Sequence, residues 1–247
     1  MLNEPSLTTR REAGRDVPML VWRASRPLLT VSSAPLGGGL GVRHWVVNAT
    51  VPMSYDRDDP ADHLAELADR LGLDGPGVGL LTGVDVAEVV ARDDGGIRVW
   101  ATVGLGTPVW AAEHPAAAAA AAARATTTAT DAAEPAAAAA DARTALVERV
   151  GTVNIVAYVP ARLGPAALVN AVATATEAKA QALAELGVPG TGTPTDAVTV
   201  LCPADGPAAA YGGPRSIWGS PLARAVHAAV THGGAGTVVP WSDRPET

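Results

Sequence analysis

Apolar and polar side chains along the chain fall into short blocks that are typical of β-strands. Most blocks are apolar runs bounded by glycine, proline or aspartate, whereas residues 84–92 and 97–103 alternate apolar with polar positions. Between those two segments lies Asp93-Asp94-Gly95-Gly96, a sequence typical of a tight hairpin turn, which predicts an antiparallel pair. The other predicted strands are 28–33, 44–51, 78–82, 150–159 and 197–202.

Three further segments have apolar residues at helical spacing. The first opens at Asp59 followed by Pro60, repeats leucine every three or four positions and ends at Gly72. The others are residues 165–186, which Gly187 ends, and residues 220–232. Strands and helices in this mixture predict an α/β or α+β fold: a single layered domain with a mixed sheet, an antiparallel hairpin and packed helices.

The length of 247 residues fits one large domain. Residues 1–18 are polar and are predicted to be a flexible N-terminus, and residues 19–233 form the domain. An Ala/Thr-rich tract at about 115–143 has no stripe of large apolar side chains, which indicates a low-complexity surface insertion. Residues 234–247 are predicted to be a C-terminal tail.

Composition and charge exclude several classes of function. The net charge of −7 provides no basic surface for a phosphate backbone, so nucleic acid is not an expected partner. The chain shows neither the apolar core of a signal peptide nor an apolar run of membrane-spanning length, so we expect a cytoplasmic protein without a membrane partner. The only cysteine, Cys202, excludes an intramolecular disulfide and is expected to be a buried, inert thiol.

The longest predicted helix carries a narrow polar stripe. Asn170, Thr174, Glu177 and Gln181 fall within roughly 60° of one another on a helical wheel. Such a stripe is either a solvated face or part of a site, and it lacks the mixed charges of an ordinary surface. On the apolar side lies Lys179, the only lysine of the chain, which either extends its amine to solvent or pairs with a buried acid.

Two loops also have candidate chemistry. Residues 190–196 (Gly-Thr-Gly-Thr-Pro-Thr-Asp) bring three hydroxyls and a carboxylate between a helix and a strand, as either a binding loop or an ordinary turn. Residues 32–41 form a glycine-rich loop that matches neither a Walker loop nor a dinucleotide fingerprint.

Asp56 and Arg57 form either a loop ion pair or a substrate clamp. The histidines show no metal-ligand spacing, and no Gly-x-Ser-x-Gly elbow is present.

Three segments together resemble the adenosylcobinamide amidohydrolase family: Ser-Ser-Ala-Pro-Leu-Gly-Gly-Gly at 32–39, Thr-Ala-Thr-Glu-Ala-Lys at 174–179, and Thr-Gly-Thr-Pro-Thr-Asp at 191–196. Further similar segments are Asn48 with Val51-Pro52, 79–82, 101–105 and 151–155. The resemblance runs from about residue 28 to residue 233 without the Ala-rich tract. Gly83 and Pro194 depart from the pattern, where small residues such as alanine are more usual.

The resemblance implies hydrolysis of the amide that joins a propionyl side chain of the corrin ring to aminopropanol, giving adenosylcobyric acid in corrinoid salvage. The cobalt arrives with the corrinoid substrate, so we expect no cofactor and no metal site of the protein's own. The partner is this small molecule, and a homo-oligomer is left open. The alternative is a non-catalytic protein that binds a corrinoid or a nucleotide.

Amide hydrolysis needs a base, an attacking oxygen and donors for the oxyanion, and the family resemblance guides their assignment. Glu177 is the predicted general base, and Thr193 or Thr195 the nucleophile unless water attacks directly. Backbone amides near Gly192 and the side chains of Asn154 and Asn170 are predicted oxyanion donors, and Lys179 with Asp196 orients the set. The predicted substrate-binding residues are Ser32, Ser33, Gly37, Gly38, Gly39, Asn48, Asn154, Asn170 and Thr174.

Deleting residues 116–140 and joining the ends through a short Gly/Ser linker should leave hydrolytic activity within a few fold of the full chain, because loop length affects stability only logarithmically. The measurement is turnover of adenosylcobinamide by the purified variant. Complete loss of folded protein would contradict the prediction.

Overall fold

A computed structural model describes residues 1–12, 14–113, 151–236 and 241–243. The strands are β1 (Ser6–Glu12), β2 (Arg15–Ser32), β3 (Gly39–Thr50), β4 (Val78–Thr82), β5 (Val90–Asp94), β6 (Ile97–Val103), β7 (Val153–Tyr158) and β8 (Ala197–Pro203). The α-helices are α1 (Pro60–Arg70), α2 (Pro165–Glu185) and α3 (Gly219–Gly234), and two short 3-10 helices cover Val86–Glu88 and Trp241–Asp243. The described helices include none that is long and apolar enough to cross a membrane.

All eight strands belong to one mixed sheet of order β4-β3-β2-β8-β7-β6-β5, with β1 added beside β2. The long strand β2 has two neighbours along the same edge: residues 15–21 pair with β1, and residues 28–32 pair with β8. A register shift between Arg23 and Leu28 interrupts its pairing with β3. Such an irregularity bends a strand. The bend lets β2 pair both with β3, in the part of the sheet formed by β2–β4, and with β8, in the part formed by β5–β8. β3 with β4 and β7 with β8 are parallel, and the other pairs are antiparallel.

Helices cover one face of the β5–β8 part, and the opposite face meets the β2–β4 part. α2 and α3 bury their small and aliphatic residues, such as Leu168, Leu183 and Val226, against the strands. On the other side the sheet curls on itself, so that Trp22 of β2 meets Trp100 of β6 edge to face, with ring centroids 5.9 Å apart. α1 packs with β2 and β3 through Leu67. The curled sheet therefore has a second core between its two parts.

The predicted fold class is confirmed: the described residues form one layered domain with a mixed sheet, the antiparallel β5–β6 hairpin and packed helices. In the hairpin turn, Gly95 and Gly96 have φ of 56° and 84°, a conformation that favours glycine. β5 is shorter than predicted because Asp85 accepts a hydrogen bond from Ala87 N and starts a 3-10 turn. The side chain of Asp59 does not cap α1, although Pro60 begins the helix as predicted.

The prediction of a flexible N-terminus at residues 1–18 is wrong. β1 and the first residues of β2 form a regular antiparallel ladder, and the guanidinium of Arg10, 8% exposed, donates to Thr50 O at 2.8 Å. Most side chains of β1 are exposed, so backbone pairing rather than apolar burial holds this strand. In the predicted tail, Trp241 is buried beneath the guanidinium of Arg15. The predicted insertion at 115–143 lies outside the described residues.

Candidate active site

An open cleft of about 420 Å³ lies where the two parts of the curled sheet meet. Its lining comes from the loop after β2, the ends of β3 and β4, the starts of β7 and β8, and the loop before α1. The lining residues are Ser33, Pro35, Val51, Pro52, Met53, Tyr55, Arg57, Pro60, Leu80, Leu81, Thr82, Gly83, Thr152, Asn154, Thr195 and Ala197. The walls are thus mainly apolar, with a few convergent hydroxyl and amide groups, a composition typical of small-molecule sites.

Two hydroxyls form the most compact polar group of the cleft. Thr195 Oγ1 and Thr152 Oγ1 are 2.6 Å apart, and Thr152 is buried whereas Thr195 is exposed. A hydroxyl that accepts a hydrogen bond from one neighbour still has a proton to donate to another. The pair therefore presents Thr195 to the cleft with its orientation fixed by Thr152.

The carboxylate of Asp196 fixes the position of that pair. It accepts hydrogen bonds from Lys179 Nζ, from the hydroxyl of Thr193, from Thr193 N at 3.0 Å and from Val153 N at 2.8 Å. The side chains of Lys179 and Asp196 are only 8% and 11% exposed. Of the alternatives for Lys179, pairing with a buried acid is therefore the one observed. The predicted orienting role of the two residues remains a prediction that this geometry supports.

Gly192 is required by the same ion pair. A Cβ atom at this position would lie 2.5 Å from both Asp196 Oδ2 and Lys179 Nζ. The glycine thus lets the turn at 191–196 close over the buried charges. Thr193 is engaged by its bonds to Asp196 and does not line the cleft, whereas Thr195 does.

Asn154 lines the cleft, but both hydrogens of its amide are already used. Its Nδ2 donates to Leu81 O at 2.9 Å and to Asn48 Oδ1 at 3.0 Å, and Asn48 Nδ2 donates to Thr102 Oγ1 at 3.0 Å. The buried Asn48 thus acts behind the cleft and not on its surface. Asn154 is held rigidly, and this arrangement leaves no amide hydrogen for an oxyanion.

The polar stripe of α2 is not part of the cleft. Glu177 and Asn170 are exposed, and the buried Thr174 donates to Gly212 O at 2.9 Å. The helix instead presents Ala178 and Lys179 to the interior. The structure therefore gives Glu177 no place among the cleft-lining residues, and its role as base stays a prediction without support from position.

The glycine-rich loop contributes to the cleft through its first part. Ser33 and Pro35 line it, and the hydroxyl of Ser33 accepts a hydrogen bond from Val198 N at 3.0 Å. Ser32 lies behind, with its hydroxyl 2.7 Å from that of Thr199. The predicted substrate-binding glycines Gly37, Gly38 and Gly39 do not line the cleft. They form the turn into β3, where the guanidinium of Arg43 donates to the carbonyls of Gly37 and Gly38.

Arg57 is the only charged side chain among the described lining residues. Its guanidinium donates to Asp59 at 2.6 Å and to Glu66 at 3.3 Å, so it forms a loop ion pair, although with Asp59 and not with Asp56. This guanidinium holds the pKa of the Asp59 carboxyl below its usual value. The charge of Arg57 is therefore offset locally.

Sequence reasoning missed a tyrosine–histidine pair at the cleft. Tyr55 lines it, and Tyr55 Oη is 3.0 Å from Nδ1 of His63, which is buried on α1. The rings are stacked, with centroids 5.5 Å apart. The only sequence signal was a histidine next to Leu64 on the buried side of an amphipathic helix, which does not distinguish a site residue from a core residue.

Comparison with known proteins identifies the family. The family model for adenosylcobinamide amidohydrolase matches residues 4–237. The chain belongs to the adenosylcobinamide amidohydrolase family. An adenosylcobinamide amidohydrolase of Methanosarcina mazei is 29% identical over 178 residues, which cover 71% of this chain and 72% of that protein. The resemblance inferred from the three sequence segments is confirmed, and with it an enzyme of the amide-hydrolysing class.

The buried ion pair should be essential for stability. Lys179→Met leaves the Asp196 carboxylate buried without its cation, so the free energy of unfolding should fall by about 3–5 kcal/mol in urea titrations. Gln181→Met, at an exposed position on the same helix, is the matched control and should change it by less than about 0.5 kcal/mol. Replacing Asp196 by Asn in the Lys179→Met background should recover part of the loss. Equal stability of the Lys179→Met and Gln181→Met variants would contradict a stabilising role for the pair.

Proposed function

We propose that the cleft around Thr195 is where this adenosylcobinamide amidohydrolase hydrolyses the aminopropanol amide of its corrinoid substrate. One observation carries the proposal: segments of the family resemblance that are far apart in sequence converge on this cleft. The loop after β2 brings Ser33, β7 and the residue before it bring Asn154 and Thr152, and the turn before β8 brings Thr195. The segment at 174–179 contributes Lys179, which holds that turn through Asp196.

The dimensions and polarity of the cleft support binding of the amide side arm and not of the whole corrinoid. A volume of about 420 Å³ lies near the lower end of the range of about 300–1,000 Å³ that is typical for drug-sized ligands. A corrin ring with its adenosyl ligand is larger than such a molecule. The proposed arrangement places the propionyl–aminopropanol arm against the hydroxyls and leaves the macrocycle at the open mouth.

The proposed chemistry uses groups of the protein and the cobalt stays a part of the substrate. The lining offers hydroxyls, one side-chain amide and a guanidinium, and none of the described lining residues is His, Cys, Asp or Glu. Such a donor set suits binding of a neutral amide and does not resemble a zinc site. The proposed location is the cytoplasm.

The decisive test is mass spectrometry of adenosylcobinamide incubated with pure protein, before and after prolonged chelator treatment. We expect adenosylcobyric acid and free aminopropanol in both cases. Unchanged ligand that binds with measurable affinity would favour the non-catalytic binder instead. Loss of activity that only zinc restores would contradict the metal-independent reaction.

Thr195 is proposed to contact the reacting amide, either as the attacking oxygen or as a hydrogen-bond donor. Thr195→Val should lower kcat/KM by at least about 10²-fold because it removes the hydroxyl at constant side-chain shape, whereas Thr195→Ser should retain much of the rate. Thr176→Val is the matched control, since Thr176 is exposed on α2 and its hydroxyl donates within the helix to Val172 O. Equal activity of the two valine variants would place the chemistry elsewhere. A burst of aminopropanol release would indicate a covalent intermediate.

A further inference from the structure

We propose that Tyr55 and His63 are the proton-transfer pair of the cleft, with Tyr55 exchanging protons with the reacting groups and His63 acting through Tyr55. Tyr55 is thus assigned as a catalytic residue and His63 as its positioning and proton-storing partner. The assignment rests on the proposed use of this cleft for amide hydrolysis. It adds the acid–base function that the hydroxyls of Thr152 and Thr195 do not supply by themselves.

The geometry of the pair fits this role. Tyr55 Oη lies 3.0 Å from His63 Nδ1, which is within the range for direct proton transfer along a hydrogen bond. The two rings are stacked at an interplanar angle of 22°, so the hydrogen bond is held by packing as well as by its own energy. Tyr55 is half-buried and lines the cleft, while His63 is only 5% exposed and lies behind it. A proton on His63 therefore reaches the cleft through Tyr55.

Three other ionisable groups, Arg57, Asp196 and Glu177, are unsuited to proton transfer in the cleft. Arg57 is the only other ionisable residue in the described lining, and a guanidinium does not release its proton in proteins. The carboxylate of Asp196 is occupied by Lys179, Thr193 and Val153. Glu177 is exposed outside the cleft. Within the described lining, Tyr55 is thus the side chain that combines access to substrate with a partner able to take up a proton.

Burial is the main reason why the resting pair is neutral. Burial lowers the pKa of His63, and the nearby cations Arg57 and Arg10 lower it further, against a smaller opposing effect of Glu12 and Glu66. Burial also raises the pKa of Tyr55, which keeps its hydroxyl protonated. The titratable and charged groups facing the pair are Arg10 and Glu12 from β1, Arg57 from the loop, and Asp59 and Glu66 at α1. A neutral imidazole is the form that accepts a proton.

The proton balance of hydrolysis closes with this pair. As the attacking oxygen, from water or Thr195, bonds to the amide carbon, its proton passes to Tyr55 Oη, and the phenol proton passes to His63 Nδ1. When the carbon–nitrogen bond breaks, Tyr55 donates a proton to the leaving nitrogen and recovers one from His63. In the covalent route, water repeats the first step on the ester of Thr195, and the Thr195 oxygen takes the proton back. The net reaction is amide plus water to carboxylic acid plus aminopropanol.

The test compares Tyr55→Phe with Tyr211→Phe, a matched control at an exposed tyrosine outside the cleft. Both are assayed with adenosylcobinamide over a range of pH, together with wild type and His63→Gln. Wild-type kcat/KM should decline as the pH falls through the His63 pKa, which lies below the ordinary value of about 6.5, because the protonated imidazole no longer accepts a proton. Tyr55→Phe should lower kcat by about 10²- to 10⁴-fold and abolish this acid limb, with little change in substrate affinity.

Several outcomes decide between the possibilities. Near-normal turnover of Tyr55→Phe overturns the proposal. A reduced rate that keeps the wild-type acid limb also overturns it, because a merely structural role of Tyr55 lowers the rate without changing which group titrates. If His63→Gln fails to fold, the pH profile of Tyr55→Phe still decides. An inactive wild-type protein would instead reject the proposed function, which is a distinguishable result.

Discussion

The buried carboxylate of Asp196 is the contact on which the site depends. It joins four parts of the chain, because its partners are Lys179 on α2, the turn at Thr193 and the start of β7 at Val153, while Asp196 itself leads into β8. A charge taken out of water is tolerated only with a partner and further hydrogen bonds, and this carboxylate has both. Its position places Thr152 and Thr195 side by side, so the hydroxyl pair follows from an electrostatic requirement of the interior.

A second polar network, separate from the contacts of Asp196, links the two parts of the curled sheet. Asn48 of β3 bonds to Thr102 of β6 and to Asn154 of β7, which in turn bonds to Leu81 of β4. These groups are buried or nearly so, and a network of this kind fixes one arrangement because any shift would leave a polar atom unpaired. The apolar contact of Trp22 with Trp100 supports the same closure. The network thus fixes the side of the cleft lined by Leu81 and Asn154, and the loop that carries Tyr55 lines another side.

The electrostatics of the cleft suit a neutral substrate arm. The charge of Arg57 is offset by Asp59 and Glu66, and the remaining lining groups are hydroxyls, an amide and apolar side chains. An amide bond with a hydroxyl-bearing amine carries no net charge in need of a counterion. The stacked pair of Tyr55 and His63 is also neutral at rest, so protons move within the site without a permanent charge in the apolar walls.

The sequence by itself determined the fold class, most element positions and the family, because periodicity, turn chemistry and short motifs are local signals. For Lys179 it left open whether the amine extends to solvent or pairs with a buried acid, and the structure shows the pairing with Asp196. It did not reveal the ordered β1, since an exposed strand held by backbone pairing has no apolar signature. It also assigned Glu177 and Gly37 to the site; neither lines the cleft, and both assignments stay predictions. Which side chains share a cleft depends on how far the sheet curls and where β2 bends, and those are set by long-range contacts. Tyr55 and Thr195 came to line the same cleft only through that closure.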